Sequence, residues 1–484
     1  MLGDDVCNVL AELLLGPGRA DPSALAIRVP NERDWTYAEL EAASARIANA
    51  LVERGVTPGD RVAVQLPKSV ESIALHLACI RAGAIYLPLN SAYTATELVS
   101  LIDDAEPVLL LRNEEIDHPV QRLSVVELME RSSGAPEVFT DALRGSDDPA
   151  SILYTSGTTG RPKGAVLSHG NLAASASTLV ENWGFTKDDV LLHILPLFHT
   201  HGLFVAVHTV LASGAAMILH ESFDPKSVVA DLPGSSVLMG VPTHYVRLLA
   251  EPTFTKEVCA NIRLFTSGSA PMLVATHREF TERTGQVILE RYGMTETCML
   301  TSNPLLGVRK PGTVGPPLPG VELRIVETDP GGIQVRGANV FAGYWKRPEL
   351  RATEFTEDGW FRTGDLGTID ADGYVEIVGR SKDLIITGGL NVYPKEIEVL
   401  LDSLPGVSES AVIGVPDADF GEAVVAVVVA DGSVTDLDGE AIRVQAREHL
   451  AGFKVPKRVH LVGQLPRNAM GKVEKAKLRA EFSD

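Results

Sequence analysis

Residues 36 to 100 switch repeatedly between the helical and the strand hydrophobic period, and that alternation restricts the chain to few architectures. Thr36 can cap a helix running through YAELEAASARIANALVERG, with Glu39 completing a capping box and Gly55 ending it. The strand DRVAVQL, the apolar helix around SIALHLACIRAG and the strand AIYLPL follow. Such an order predicts βαβ units and a mostly parallel sheet. A second series starts near Val190 and runs through SSVLMGV and NIRLFTSG. Beyond Pro311 the texture changes. PGTVGPPLPGVELRIVETDPGGIQVRG suggests a small antiparallel or barrel-like β unit. The last hundred residues change again: GRSKDLIITGG precedes a capped helix from Tyr393, a strand at ESAVIGVP and the run AVVAVVVA. The expectation is an α/β protein with a large N-terminal domain over 1–380 and a small α+β C-terminal domain over 381–484.

Composition removes several classes. A chain of 484 residues buries a core without disulfides or metal staples. Its net charge of -20, from 63 acidic and 43 basic residues, repels phosphate backbones, so no nucleic-acid partner is expected. The cysteines (Cys7, Cys79, Cys259, Cys298) show no ligand spacing and fit free thiols in a reducing cytoplasm. MLGDDVCNVL lacks the basic start of a signal peptide. Residues 191–219 contain no Asp, Glu, Lys or Arg and are long enough to span a bilayer. Pro196, Gly202, Gly214 and four histidines make a buried pocket wall the better reading, without membrane insertion.

The sharpest local signal is YTSGTTGRPKG at 154–164, after the apolar run ASIL. Its glycines let backbone N–H groups converge, its hydroxyls add donors and Lys163 adds a charge, a nest suited to an anion. It is not a Walker A loop, and a flexible linker would not need the fixed lysine. Other fragments follow in order: SGSAP at 267–271, YGMTE at 292–296, TGD at 363–365, Gly379-Arg380, and PRNAMGK at 466–472.

This ordered set resembles the adenylate-forming superfamily, which includes acyl-CoA synthetases, peptide-synthetase adenylation domains and luciferases. The resemblance runs from about Trp35 to Arg479. It implies that a carboxylate attacks the α-phosphate of ATP, expelling pyrophosphate, and that the acyl-adenylate then passes to a thiol. It assigns nucleotide binding to Thr155, Ser156, Gly157, Thr158, Thr159, Gly160, Lys163, Gly268, Ser269, Ala270, Pro271, Arg291, Tyr292, Gly293, Met294, Thr295, Asp365 and Arg380. Tyr292 would stack on adenine and Asp365 would accept from the ribose hydroxyls. Thr155 and Glu296 would hold Mg²⁺, a hard cation wanting oxygen ligands. Lys472, in a locally basic tail, matches the catalytic lysine, whose ammonium neutralises the transition state and which a regulatory lysine acetyltransferase would silence. Lys382 matches a hinge about which a mobile C-terminal domain turns, and Gly388-Gly389 the turn lining the CoA pantetheine tunnel.

The bland alternatives are a surface carboxylate for Glu296, a turn aspartate for Asp365, a solvated lysine for Lys472 and a hairpin turn for the glycines. His199 and His201 form an HxH pair, but no third metal ligand stands at a helpful spacing. His199 matches the family's gate residue beside the acyl site. Within the superfamily, PLFHTHGLFVA, MGVPTHYVRLL, LFTSGSAPM and LERYGMTET resemble malonyl-CoA synthetases, implying malonate or methylmalonate, ATP and CoA as substrates. Thr243 can cap a helix whose first turns hold Arg247 among apolar neighbours, where a second substrate carboxylate would compensate the cation. Pairing with Glu251 at i+4 is the alternative. Ser269 and Arg291 are further candidates for that carboxylate, with His199 nearby. The rivals are a CoA ligase for another short acid, an adenylation enzyme loading a carrier protein, and a non-catalytic nucleotide-binding regulator.

Overall fold

The computed structural model describes residues 7–155, 162–326, 330–388, 390–417, 419–435, 437–468 and 471–483. Ser156, Gly157, Thr158, Thr159, Gly160 and Gly389 lie outside them.

The capping box at Thr36 forms: its hydroxyl accepts from the Glu39 amide at 3.2 Å, and a Glu39 carboxylate oxygen accepts from the Thr36 amide at 2.8 Å. This starts the helix Tyr37–Glu53. Strand Arg61–Gln65 then runs parallel to Ile85–Pro88 on one side and Leu109–Arg112 on the other. The connecting helix Val70–Ala82 is buried at every residue except Glu71, which is why its sequence reads apolar all round. These strands belong to a seven-stranded sheet.

A second, eight-stranded sheet carries six neighbours in parallel: Leu289–Tyr292, Leu264–Ser267, Val237–Gly240, Val190–His193, Ala216–Leu219 and Leu25–Arg28. Covered on both faces, these strands need no alternation of polar residues. Their carboxyl ends emerge together, at His193, Gly240, Ser267 and Tyr292. In open α/β sheets the loops beyond those ends build the ligand crevice.

The uncharged stretch 191–219 enters this sheet as strand Val190–His193, π-helix His201–Val207, helix His208–Ser213 and strand Ala216–Leu219. Among the described residues no helix is long and apolar enough to cross a membrane.

The segment after Pro311 differs from a barrel. Val321–Val326, Gly331–Gly337, Phe361–Ile369 and Val375–Arg380 form an open antiparallel sheet of four strands. Four short strands are too few to close around a filled interior. Residues 385–482 pack around two hydrophobic clusters of their own. In AVVAVVVA, Val424, Ala426 and Val428 join one cluster, whereas Val425 and Val427 join the other, so a period of two hides inside an unbroken apolar run.

Two helix starts differ from expectation. Tyr393 takes the N-cap position without a side-chain bond, and Pro394 at the first helical position sets the turn. Likewise Pro242, not Thr243, opens the helix Pro242–Leu249, and His244 Nδ1 accepts from the Val241 amide at 3.4 Å.

Candidate functional site

Strands Pro149–Thr155 and Lys163–Ser168 pair antiparallel, with Thr155 opposite Lys163. Lys163 Nζ pairs with Glu354 Oε1 at 2.8 Å and lies 5.0 Å from the Tyr344 ring centroid. The Tyr344 hydroxyl donates to Glu296 Oε1 at 3.0 Å. Glu296 is buried, and desolvation pushes its carboxyl above the usual range. The sequence reading missed Tyr344 and Glu354, which lie nearly fifty residues or more from the groups they hold and carry no motif by themselves.

Asp365 and Arg380 are cross-strand partners in the four-stranded sheet, and Arg380 Nε meets Asp365 Oδ1 at 2.8 Å. The other Asp365 oxygen accepts from the Tyr292 hydroxyl at 2.5 Å. Burial and the adjacent Asp365 charge drive the Tyr292 phenol well above its ordinary value. Tyr292 therefore orients the carboxylate. Gly293 makes the turn possible, since a Cβ there would lie 1.9 Å from the Cys298 carbonyl oxygen. Met294, Thr295 and Ala270 are half-buried along the same loops, and Pro271 is exposed.

Gly471 packs over the helix Pro242–Leu249, where a Cβ would approach Thr243 Oγ1 at 3.5 Å, and this brings Lys472 into the cleft. Lys472 reaches water through the cleft mouth but has protein on most sides. Desolvation first, then the Arg380 charge, lowers its ammonium pKa, while Asp365 and Glu296 oppose the shift. His199 is held down to about 3 by desolvation, then by Lys472 and Arg291, and is neutral. Lys472, Glu296, Asp365, Arg380, Arg291 and His199 thus converge from segments distant in sequence.

Arg291, whose charge also acts on Lys472, is 4% exposed, with Nε and Nη2 lacking any partner among the described residues. Desolvation pulls its guanidinium down to about 9, still charged at neutral pH. Ser269 adopts φ +67°, a left-handed conformation costing on the order of 1–2 kcal/mol for a residue with a Cβ. Arg247 is elsewhere than expected. It occupies the last turn of its helix on the exposed face and forms no ion pair with Glu251 or any other described carboxylate. Only Tyr245, Leu248 and Leu249 of that helix are buried, because 3.6-residue periodicity turns Arg247 outward.

Lys382 is exposed within the short 3₁₀ turn Ser381–Asp383. Its neighbours anchor in opposite directions: Ser381 Oγ donates to the Gly364 carbonyl at 2.8 Å, and Asp383 Oδ1 pairs with Arg479 at 2.7 Å. Gly388 stands at φ +57° on the small unit, with its amide donating to the Phe420 carbonyl at 2.8 Å.

A cleft at strand carboxyl ends, closed by a lysine loop over a tyrosine–aspartate–arginine cluster, defines a nucleotide-handling enzyme. The chain belongs to the AMP-binding enzyme family, whose model matches residues 18–345, and the AMP-binding enzyme C-terminal domain matches residues 396–472. ATP-bound MatB from Rhodopseudomonas palustris is 51% identical, with a TM-score of 0.94 over 98% of this chain and 99% of that one. The apo form of the same MatB scores 0.83 over 99% of each chain, so the arrangement here is nearer the nucleotide-bound one. The mitochondrial malonate–CoA ligase of Homo sapiens is 36% identical over 92% of this chain and 88% of its own. A feruloyl-CoA synthase of Amycolatopsis sp is 37% identical over 96% and 97%.

Proposed function

We propose that the protein ligates malonate, with methylmalonate as the alternative acid, to coenzyme A in an ATP-dependent reaction through a malonyl-adenylate, releasing AMP and pyrophosphate. The observation that carries this reading is Arg291: a buried guanidinium with two unpartnered donors beside Lys472 and His199. An aromatic or fatty acyl tail would leave that charge stranded, whereas a distal carboxylate accepts its fork in a charge-assisted pair. Similarity to malonate–CoA ligases supports the same acid. The feruloyl-CoA synthase is equally similar in sequence, so identity alone does not select between them.

In the first half-reaction the acid's near carboxylate attacks the α-phosphate of ATP and pyrophosphate leaves. Both reactants are anionic. Lys472, within reach of the Asp365, Glu296 and Arg380 charges, is the cation that neutralises charge on the carboxylate and the α-phosphate together. Asp365, held by Arg380 and Tyr292, presents its carboxylate to the ribose hydroxyls. Thr155 to Gly160 with Lys163 receive the β- and γ-phosphates, and Gly268 to Pro271 with residues 291–295 border the adenine. Ser269, retained in a strained conformation, offers its hydroxyl to the distal carboxylate, and Arg247 adds a solvent-side cation.

The donor set around Glu296 and Thr155 is all oxygen and suits Mg²⁺, which when bound to the nucleotide would screen phosphate charge. In the second half-reaction residues 381–484 turn about Lys382 relative to residues 1–380. Gly388 and Gly389 then line the pantetheine path, His199 moves aside, and the thiol displaces AMP. Acetylation of Lys472 by a lysine acetyltransferase would remove its charge and stop the first step. The expected compartment is the cytoplasm.

The test is acid-dependent pyrophosphate release across malonate, methylmalonate, succinate, acetate, butyrate and benzoate, with and without CoA. Malonate should lead and should need CoA for turnover. Preference for benzoate or butyrate would overturn the assignment. Nucleotide binding without acid-dependent release would instead mark a regulator.

A further inference from the structure

Arg291 is not the only unsatisfied group at the closed end of this cleft. His201 is 2% exposed, and neither of its ring nitrogens has a partner among the described residues. The backbone around it is pinned. Its own amide points to His199 Nδ1 at 3.3 Å, and the next carbonyl, that of Gly202, accepts from His193 Nε2 at 2.8 Å. Gly202 admits no side chain, because a Cβ would lie 2.0 Å from the Pro196 carbonyl oxygen. His201 also opens a π-helical turn, a geometry that recurs where a side chain must be re-aimed at a site. Its imidazole is thus fixed without being used by the fold.

The group that acts on His201 most strongly, after burial itself, is Arg291. No hydrogen bond joins the two. Between them they leave two guanidinium nitrogens and two ring nitrogens open, and so are the hydroxyls of Thr200, next to His201 in the chain, and of Thr266 and Ser267, on the strand paired with the one that carries Arg291. Buried polar groups in folded proteins are nearly always paired, and a cluster of exceptions around one cation marks room for a ligand. A water molecule could serve one ring nitrogen but would leave the guanidinium charge uncompensated. A carboxylate serves both, since its two oxygens offer about four acceptor positions.

We propose that His201 is a specificity-determining residue, one of whose ring N–H groups donates to the distal carboxylate that Arg291 holds. This rests on the dicarboxylate reading above. Desolvation and Arg291 keep the ring uncharged, so it has a single N–H to give and acts as a directional donor without adding charge. The pair then distinguishes a distal carboxylate from an alkyl end, because binding a monocarboxylic acid would leave both residues unpaired.

The experiment compares kcat and KM for malonate, butyrate and ATP in wild type, His201→Leu and His201→Gln. His201→Leu should raise KM for malonate on the order of 10- to 100-fold and leave KM for ATP and kcat/KM for butyrate within about twofold. His201→Gln, which keeps an N–H, should recover part of the loss. Equal loss on malonate and butyrate would reduce His201 to a structural residue and overturn the proposal. So would unchanged KM for malonate in His201→Leu. A wild-type enzyme inactive on malonate would instead overturn the substrate reading, and the proposal with it. Should His201→Leu not fold, ¹⁵N-histidine spectra of the wild type decide. The ring N–H signal absent from His201→Gln should shift with malonate and not with butyrate; a signal unmoved by malonate would overturn the proposal.

Discussion

The guanidinium of Arg291 lies against the α-carbon of Gly268, so close that a Cβ there would meet Nη1 at 2.4 Å and Cζ at 2.5 Å. Gly268 is needed for space, and the atom it makes room for is the far end of a side chain. Gly268→Ala should therefore move the guanidinium and leave the fold intact. The expected outcome is a fall in kcat/KM for malonate on the order of 10- to 100-fold, with thermal stability nearly unchanged. Wild-type kcat/KM for malonate in a folded variant would show that the position of Arg291 does not matter to the acid.

Lys472 is brought to the cleft by Gly471, which packs over Thr243. Lys472→Ala should lose malonyl-adenylate synthesis by orders of magnitude yet still convert supplied malonyl-adenylate and CoA to thioester. Acetylated Lys472 should behave like the alanine variant. Equal loss in both steps would remove the lysine from the adenylation role.

The protonation state of Lys472 should be visible in the pH profile. Burial, then Arg380, lowers its pKa from the ordinary 10.5. Since the ammonium is the active form, adenylation is supported below the lowered pKa and is lost as pH rises through it. The alkaline limb of kcat/KM, which reports the free enzyme, should thus lie below 10.5. Lys472→Arg, slower overall, should move that limb upward. A limb that stays put in the arginine variant belongs to another group.

Residue 382, the pivot proposed above, sits between Ser381, tied to Gly364, and Asp383, tied to Arg479. Proline fixes φ and restricts the residue before it. Lys382→Pro should keep pyrophosphate release close to wild type and slow thioester formation. If both half-reactions keep their rates, the pivot lies elsewhere.

Much of this site was legible in the sequence because its chemistry sits in short contiguous strings. YGMTE brought Tyr292 and Glu296, TGD brought Asp365, and PRNAMGK brought Lys472. Partners contributed by tertiary packing were not legible: Tyr344 on Glu296 and Glu354 on Lys163 carry no local pattern. The ranking of the arginines also had to wait for the fold. In sequence Arg247 stands among apolar residues, but helical phase turns it to solvent, whereas Arg291 is buried within the strand Leu289–Tyr292. The barrel-like expectation failed for a related reason: glycine and proline density announces turns but does not count strands.

Arg291 should reveal itself through stability as well as rate. An isolated buried charge costs several kcal/mol even after relaxation, and replacing it by an apolar residue of similar volume is often neutral or stabilising. Arg291→Met should hence raise the Tm of the free protein or leave it unchanged, while kcat/KM for malonate falls by about 10²- to 10³-fold. Arg247→Leu, altering an exposed cation, should cost roughly tenfold or less. Ligand protection separates the two further. Malonate added with ATP should raise the Tm of wild type and of Arg247→Leu by more than ATP alone, because a ligand bound only to the native state stabilises it by mass action. For Arg291→Met the malonate increment should vanish and the ATP increment should remain. If Arg291→Met keeps its malonate increment, or if Arg247→Leu loses more activity than Arg291→Met, the solvent-side arginine holds the distal carboxylate and Arg291 serves the fold.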